Sequence, residues 1–291
     1  MNTFNTIISL FIGKNNTIID IRGDFMKKFG LLGKNIAYTF SPILHNKIFE
    51  LYSIEGEYEI YDLKEEKLLK DFLQSLKQKN ISGINVTTPY KTSILEFIDI
   101  LSPEVQAIGA TNCIKLKNGK LTAYNTDYFG IVKTFEKMGL ILKNKKVVVL
   151  GTGGASKACI KALLDYNAIV YVVSRNIHDA KKKLKNVFFL SYDELEKTSG
   201  YLIINATPVG TAPNSNISPI EENIIQNFDF ALDLIYNPKE TLFLKYAKKS
   251  GKHFENGLYM LVSQGVKSQE IWNEKEFNYE QIYNELINVI Y

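Results

Sequence analysis

Five consecutive residues, Gly151-Thr152-Gly153-Gly154-Ala155, follow the apolar run Val147 to Leu150 and open a helix-forming stretch that continues to Leu164. Glycines permit a tight turn and close approach of a pyrophosphate, and a helix starting there offers unpaired N–H groups and a positive dipole end. A second apolar run, Ile169 to Val173, ends in Ser174-Arg175-Asn176. A site for NAD carries Asp or Glu at that strand end, roughly 20 residues after the glycines, to hold the ribose 2′-hydroxyl. This strand end has no carboxylate and has an Arg instead, so the two segments together predict an NADP site.

Polar side chains recur in the first half of the chain at expected strand ends and helix starts. They are Thr39 and Ser41, then Asn85, Thr87 and Lys91, then Asn112, then Asn125, Thr126 and Asp127. In an open α/β sheet such positions fall at the carboxyl edge, where ligands bind. Hydroxyl and amide donors suit a carboxylate, and amides with a carboxylate suit hydroxyls, so the set fits a small acid bearing several hydroxyls. Each residue also has a plainer role open to it. Ser41 can be the N-cap of the helix that Pro42 begins, Asp127 can cap the next helix, and Asn85 can satisfy backbone groups.

The elements that must position these residues follow from pattern. Phe29 to Gly33, Glu57 to Leu63 and Gly83 to Thr87 read as strands; helices are expected after Ser41-Pro42, over Glu65 to Lys79, around Lys91 to Ile98 and over Pro103 to Ile108. Asn118-Gly119 predicts a hairpin between Thr111 and Ala123. Strands near 146–150, 169–173, 187–190, 201–205 and 229–234 alternate with helices, the pattern of a parallel, doubly wound sheet. Asn256 to Trp272 and Tyr279 to Ile290 are expected to be helical. The fold class is therefore α/β with two domains. An α/β substrate-binding domain over 26–126 precedes a Rossmann-like NADP-binding domain over 127–254, and C-terminal helices over 255–291 return to the first domain. Residues 1–25 read as an extension upstream of Met26.

The 291 residues are enough for two cores. With 45% hydrophobic and 23% charged residues the composition is that of a globular protein, and the net charge of +4 is spread rather than clustered. Nucleic-acid binding is not expected, while an anionic substrate and a phosphate-rich cofactor are favoured. Two cysteines and three histidines lack metal-ligand spacing, so no metal is expected. No apolar run reaches the roughly 20 residues that span a bilayer, and a cytoplasmic location is the default.

The segments GKNIAYTFSPILHN (33–46), GINVTTPYK (83–91), GATN (109–112), NTD (125–127), GTGGAS (151–156), SRN (174–176), NATPVGT (205–211), DLIYNP (233–238) and NGLYMLVSQG (256–265) together resemble the shikimate dehydrogenase family. The resemblance covers nearly all of residues 29–272. It implies reversible NADPH-dependent reduction of 3-dehydroshikimate to shikimate, a step of chorismate and aromatic amino acid biosynthesis. Carried over by position, Thr39, Ser41 and Tyr236 would hold the substrate carboxylate. Thr87, Lys91, Asn112, Asp127 and Gln264 would meet its hydroxyls and reactive carbon, with Asn85 in support. Gly151 to Ala155 would wrap the pyrophosphate, Ser174, Arg175 and Asn176 the adenosine 2′-phosphate, and Leu234 and Gly257 would lie near the nicotinamide. Lys91 would transfer the proton and Asp127 would orient it.

The chain departs from the family pattern at Tyr38, where His is usual, and at Tyr259, which replaces a glycine beside the nicotinamide segment. Ser174 replaces a common Asn, and no second Arg follows Arg175; Lys181 to Lys183 are the added positive charge. Two alternatives stay open at this point. One is a quinate/shikimate dehydrogenase with broader substrate and NAD use; the other is a metabolite-binding protein of the same fold, against which Lys91 and Asp127 both weigh. Either a monomer or a homodimer is compatible with the sequence.

Overall fold

The computed structural model describes residues 11–12, 18–19, 26–36, 39–79 and 81–291. Within 1–25 only a two-residue ladder is described, β1 (Phe11–Ile12) against β2 (Ile18–Ile19). The reading of 1–25 as an extension, and Tyr38, otherwise lie outside the described residues.

A first six-stranded sheet takes all its strands from residues 27–124, in the order β4-β3-β5-β7-β8-β6. Its strands are β3 (Lys27–Gly33), β4 (Gly56–Asp62), β5 (Ile81–Val86), β6 (Ile100–Leu101), β7 (Cys113–Lys117) and β8 (Lys120–Tyr124). β3 runs parallel to both β4 and β5, whereas β7 pairs antiparallel with β5 and with β8. The β7–β8 turn is the expected hairpin: Asn118 and Gly119 both take positive φ, 52° and 73°, as the mirror-image turn requires. Helices α1 (Ser41–Tyr52), α2 (Leu69–Gln78) and α3 (Pro103–Ile108) connect these strands. The stretch 91–98 forms only a short 3-10 turn over Ser93–Phe97.

A long helix, α4 (Thr126–Lys137), leads to a second six-stranded sheet in the order β11-β10-β9-β12-β13-β14. It is built from β9 (Lys146–Leu150), β10 (Ile169–Val173), β11 (Phe188–Leu190), β12 (Gly200–Asn205), β13 (Phe228–Asp233) and β14 (His253–Glu255), all parallel. The sequence pattern did not reveal β14. The connecting helices are α5 (Gly154–Asp165), α6 (Ile177–Lys183), α7 (Tyr192–Glu196), α8 (Glu222–Ile225) and α9 (Leu242–Lys249).

The valine run of β9 shows why this strand sits centrally. Val147 and Val149 pack on the α5 side with Ala158, Cys159 and Leu163, while Val148 and Leu150 face Phe243, Leu244 and Ala247 of α9. Successive strand residues point to opposite faces, so a strand covered on both sides must be apolar throughout.

The tail forms α10 (Leu258–Asn273) and α11 (Tyr279–Ile290). α10 lies along α4 so closely that a Cβ on Gly130 would stand 2.7 Å from Met260 O. At its far end Trp272 stacks on Phe29 and donates from Nε1 to Ile114 O at 3.0 Å, which seats α10 against the first sheet. α4 and α10 therefore bridge the ends of the two sheets. No helix among the described residues is long and apolar enough to cross a membrane.

Candidate active site

Lys91 follows the end of β5 by five residues, and its ammonium lies 2.5 Å from Asp127 Oδ2. Asp127 stands in the first turn of α4 but does not cap it. Asn125 is the N-cap, accepting from Tyr128 N–H at 3.0 Å, because β8 ends one residue earlier and brings Asn125 to the boundary. Asp127 is thereby left to face Lys91 and Asn112. Asn112 Nδ2 reaches Asp127 Oδ1 (2.8 Å), Thr126 Oγ1 (2.9 Å) and Gln264 Oε1 (3.2 Å), and Asn112 Oδ1 accepts from Thr126 N–H at 2.6 Å. Gln264 is itself oriented by donating to Leu261 O.

Behind this cluster, Asn85 donates to Asn112 O and Ser268 Oγ and accepts from Tyr58 Oη at 2.8 Å. Tyr58 and Ser268 were not anticipated from sequence. Ser268 had a readable signal, since it is four residues beyond Gln264 and so shares its helix face; Tyr58 had none. Beneath Tyr58, His45 is fully buried, stacked on the Tyr58 ring, and burial pushes its imidazole down to about 3, which keeps it neutral.

Ser41 is the first residue of α1, not its cap. Phe40 takes the N-cap position without a side-chain bond. The Thr39 hydroxyl instead accepts from Ser41 N–H and donates to Ser41 Oγ at 3.1 Å, and the neighbouring Phe40 ring packs against that of Tyr236. Three hydroxyl-bearing side chains, from Thr39, Ser41 and Tyr236, thus share one end of a single cavity of about 220 Å³. The same cavity is lined by Asn85, Thr87, Lys91, Asn112, Asp127 and Gln264, with apolar walls that include Ile36, Val86 and Met260. Every substrate residue expected from sequence lines it.

Ala155, Leu234 and Gly257 line it from the second-sheet side. The rest of the expected cofactor set, Gly151 to Gly154 and Ser174 to Asn176, lies outside the cavity. Gly151 donates to Val173 O and has φ +105°, a conformation that strains any residue with a Cβ, and a Cβ there would stand a tight 3.1 Å from Ala206 O and Thr207 Cγ2. α5 then opens without a side-chain cap, and no atom stands within 4 Å of where a Gly153 Cβ would be. Gly154 lies against the Lys91 stem, so that a Cβ added there would stand 3.1 Å from Lys91 Cδ.

An uncapped helix start with an open Gly153 at its boundary suits a pyrophosphate. At the end of β10, Arg175 is exposed and makes no ion pair among the described residues, which suits a further phosphate. The Asn176 carboxamide is engaged, accepting from Asp179 N–H as the cap of α6 and donating to the Asp179 carboxylate. Lys157, in the first turn of α5, is half-buried without a carboxylate partner among the described residues; burial and Lys183 hold its ammonium below the ordinary range. These residues fit NADP. No cluster of metal-ligating side chains occurs among the described residues.

Tyr259 does not enter the cavity. Its hydroxyl donates to Glu280 Oε1 at 2.6 Å, and its ring meets Tyr283 and the Lys137 ammonium, which also pairs with Glu255. The side chain that replaces a glycine is turned toward α11, where it bonds Glu280 and packs on Tyr283.

A sequence profile described as the shikimate dehydrogenase substrate binding domain matches residues 31–114. The shikimate dehydrogenase (NADP(+)) of Clostridium perfringens is 42% identical over 268 residues, which span 90% of this chain and 98% of that protein. The crystal structure of shikimate dehydrogenase 1 from Peptoclostridium difficile superposes with a TM-score of 0.85 at 42% identity, covering 90% of this chain and 98% of that one. The shikimate 5-dehydrogenase of Thermus thermophilus, solved with NADP(H) and shikimate, gives 0.81 at 30% identity, over 89% of this chain and 98% of that one. The chain belongs to the shikimate dehydrogenase family.

Proposed function

We propose that this protein reversibly reduces 3-dehydroshikimate to shikimate with NADPH, and that Lys91 and Asp127 are its catalytic pair. The observation that carries this reading is the Lys91–Asp127 pair, 2.5 Å apart at the cavity wall, with the stem of Lys91 against Gly154 of the glycine turn. A proton-transferring side chain thus stands where the polyol pocket and the dinucleotide turn meet.

Bound NADPH supplies the hydride. Lys91 gives its proton to the substrate oxygen as the carbonyl becomes an alcohol, and takes it back in the oxidative direction. Asp127 holds the ammonium on the cavity side and, with Asn112, Thr87 and Gln264, binds the ring hydroxyls. Thr39, Ser41 and Tyr236 hold the carboxylate, and Asn85 fixes Asn112 from behind. Gly151, Thr152, Gly153, Gly154 and Ala155 cradle the pyrophosphate; Ser174, Arg175 and Asn176 take the 2′-phosphate; Leu234 and Gly257 flank the nicotinamide. In this reading residues 26–126 form the substrate domain, 127–254 the NADP domain and 255–291 a tail that completes the first. The protein works in the cytoplasm on a small-molecule substrate, as a monomer or homodimer.

The test is reduction of NADP+ by shikimate followed at the nicotinamide absorbance, repeated with quinate and with NAD+. Turnover is expected with shikimate and NADP+ and to be strongest for that pair. Faster turnover of quinate with NAD+ would reassign the substrate and cofactor. Ligand binding with no turnover on any pair would remove the catalytic reading.

A further inference from the structure

Below the wall that carries Leu234 and Tyr236 lies a buried polar network that none of the roles above uses. Asp233 ends β13 and is 0% exposed. Its Oδ1 accepts from Ile235 N–H at 3.0 Å and from Asn205 Nδ2 at 3.1 Å, and its Oδ2 accepts from the Thr241 hydroxyl at 2.6 Å. Asn205, at the end of β12, also donates to Val209 O and accepts twice from Thr207, through N–H and hydroxyl. The turn held by Asp233 is tied onward to the cavity, since Leu234 N–H donates to Asn205 O and Ile235 O accepts from Gly257 N–H at 3.0 Å.

A carboxyl in this position is costly. Its strand neighbours Ala231 and Leu232 are fully buried apolar residues, and burial pushes the Asp233 carboxyl up to about 7. A strand end that only had to be covered could carry an apolar side chain. The three donors that converge on Asp233 come from three separate segments, and one of them, Ile235, lies between the two residues that face the cavity. The glycine turn has its own supports, Gly151 N–H to Val173 O and the Ser156 hydroxyl to Gly151 O, and neither involves Asp233.

We propose that Asp233 is a positioning residue: its carboxyl group fixes the 234–236 turn so that Leu234 meets the nicotinamide end of the cofactor and Tyr236 the substrate carboxylate, while Asp233 touches neither ligand. The inference rests on the function proposed above for this cavity.

The experiment compares wild type, Asp233→Ala and Thr241→Val for binding of NADP+ and of 2′,5′-ADP by titration calorimetry, alongside kcat and KM for shikimate. 2′,5′-ADP occupies the adenosine side alone and does not reach residues 234–236. Misplacing a wall by a fraction of an ångström to an ångström costs up to about a hundredfold in rate. Asp233→Ala is therefore expected to lower kcat and NADP+ affinity by about tenfold or more, with 2′,5′-ADP affinity within about twofold of wild type. Thr241→Val removes one donor to Asp233 at nearly constant shape, together with the cap that Thr241 gives α9, and keeps the test open should the alanine variant not fold. It is expected to show the same split, at about threefold. Unchanged kcat and affinities in a folded variant, or equal loss of both ligands, overturns the proposal; equal loss would mean that the whole nucleotide face has given way. A wild type without shikimate turnover sinks the proposed function alone, because the contrast between NADP+ and 2′,5′-ADP still tests Asp233.

Discussion

The two walls of the cavity are made of different material. On the first-sheet side, Asn85, Asn112, Thr126 and Asp127 are all buried and bound to one another, so the ligand meets side chains already fixed by neighbours. On the second-sheet side the expected contacts of the dinucleotide are mostly backbone, an uncapped helix start with Gly153 open beside it, joined by a single exposed Arg side chain. The difference follows from what each wall must recognise. A ring with several hydroxyls is distinguished by donors and acceptors at set positions, whereas a pyrophosphate is held by N–H groups and positive charge. Removing a side chain should accordingly be severe on the first wall, where it strands buried partners, and mild on the second.

The largest effect is expected at Lys91. Lys91→Ala should lower kcat by about 10²–10⁴-fold, the range for a positioned acid or base, with a much smaller change in KM for shikimate. Steady-state kinetics at saturating NADP+ measure both. A variant that keeps its turnover and loses only affinity would make Lys91 a binding residue, and the first wall would no longer contain the chemistry.

Arg175 is the matching deletion on the second wall, and the effect should be smaller. A charge-assisted hydrogen bond contributes about 1.5–3 kcal/mol, so Arg175→Ala should raise KM for NADPH by about ten- to a hundredfold with kcat nearly unchanged. NADH use should hardly alter, because NADH has no 2′-phosphate. Should NADH use fall while NADPH use holds, the strand end after β10 binds something other than that phosphate.

Beneath the second wall Asp233 makes a pH prediction that concerns stability. Its folded carboxyl is pushed up to about 7 from an ordinary 3.8, by burial and with no charged neighbour among the causes. Between those values the native state holds a proton that the unfolded chain releases. The stability this proton contributes is fully present below the unfolded value and is lost as pH rises through about 7. The melting temperature of wild type minus that of Asp233→Asn should therefore fall between about pH 4 and pH 7 and level off above that, by about 2–4 °C per kcal/mol lost. A difference that is flat or rises with pH would mean that the carboxylate is ionised in the fold throughout.

Legibility from sequence divides along the same line as the walls. The glycine turn could be read because backbone recognition demands glycine in sequence, and the apolar run of β9 because burial on both faces demands it. The polar wall could be listed but not wired. Asn125, Thr126 and Asp127 are three capping-capable residues in a row, and only the end of β8 at Tyr124 decides that Asn125 caps and Asp127 is free for Lys91. Ser41-Pro42 has the pattern of a cap followed by a first turn, yet Thr39 captures the Ser41 N–H and the helix boundary moves to Phe40. The Tyr58–Asn85–Ser268 chain includes a bond between residues 183 positions apart, made through strand register and the docking of α10, which no local spacing encodes.

The smallest effect on catalysis is expected at Tyr259, where the chain replaces a glycine two residues after Gly257 of the cavity lining. Its hydroxyl bonds Glu280 and its ring covers the Lys137 ammonium, both on the side away from the cavity. Tyr259→Phe removes one hydrogen bond to an exposed partner and should cost about 1 kcal/mol, with kcat and both KM values unchanged. Tyr259→Gly removes the ring as well; deleting a buried aromatic side chain typically costs about 3–5 kcal/mol. Thermal melts with parallel kinetics separate the possibilities. If the Phe variant altered KM for the cofactor, the tyrosine would be acting on the nicotinamide wall after all, and that wall would owe part of its shape to a side chain. If only the melts move, the ring serves the packing of α10 on α11 and α4, and the cofactor side stays mostly a surface of backbone.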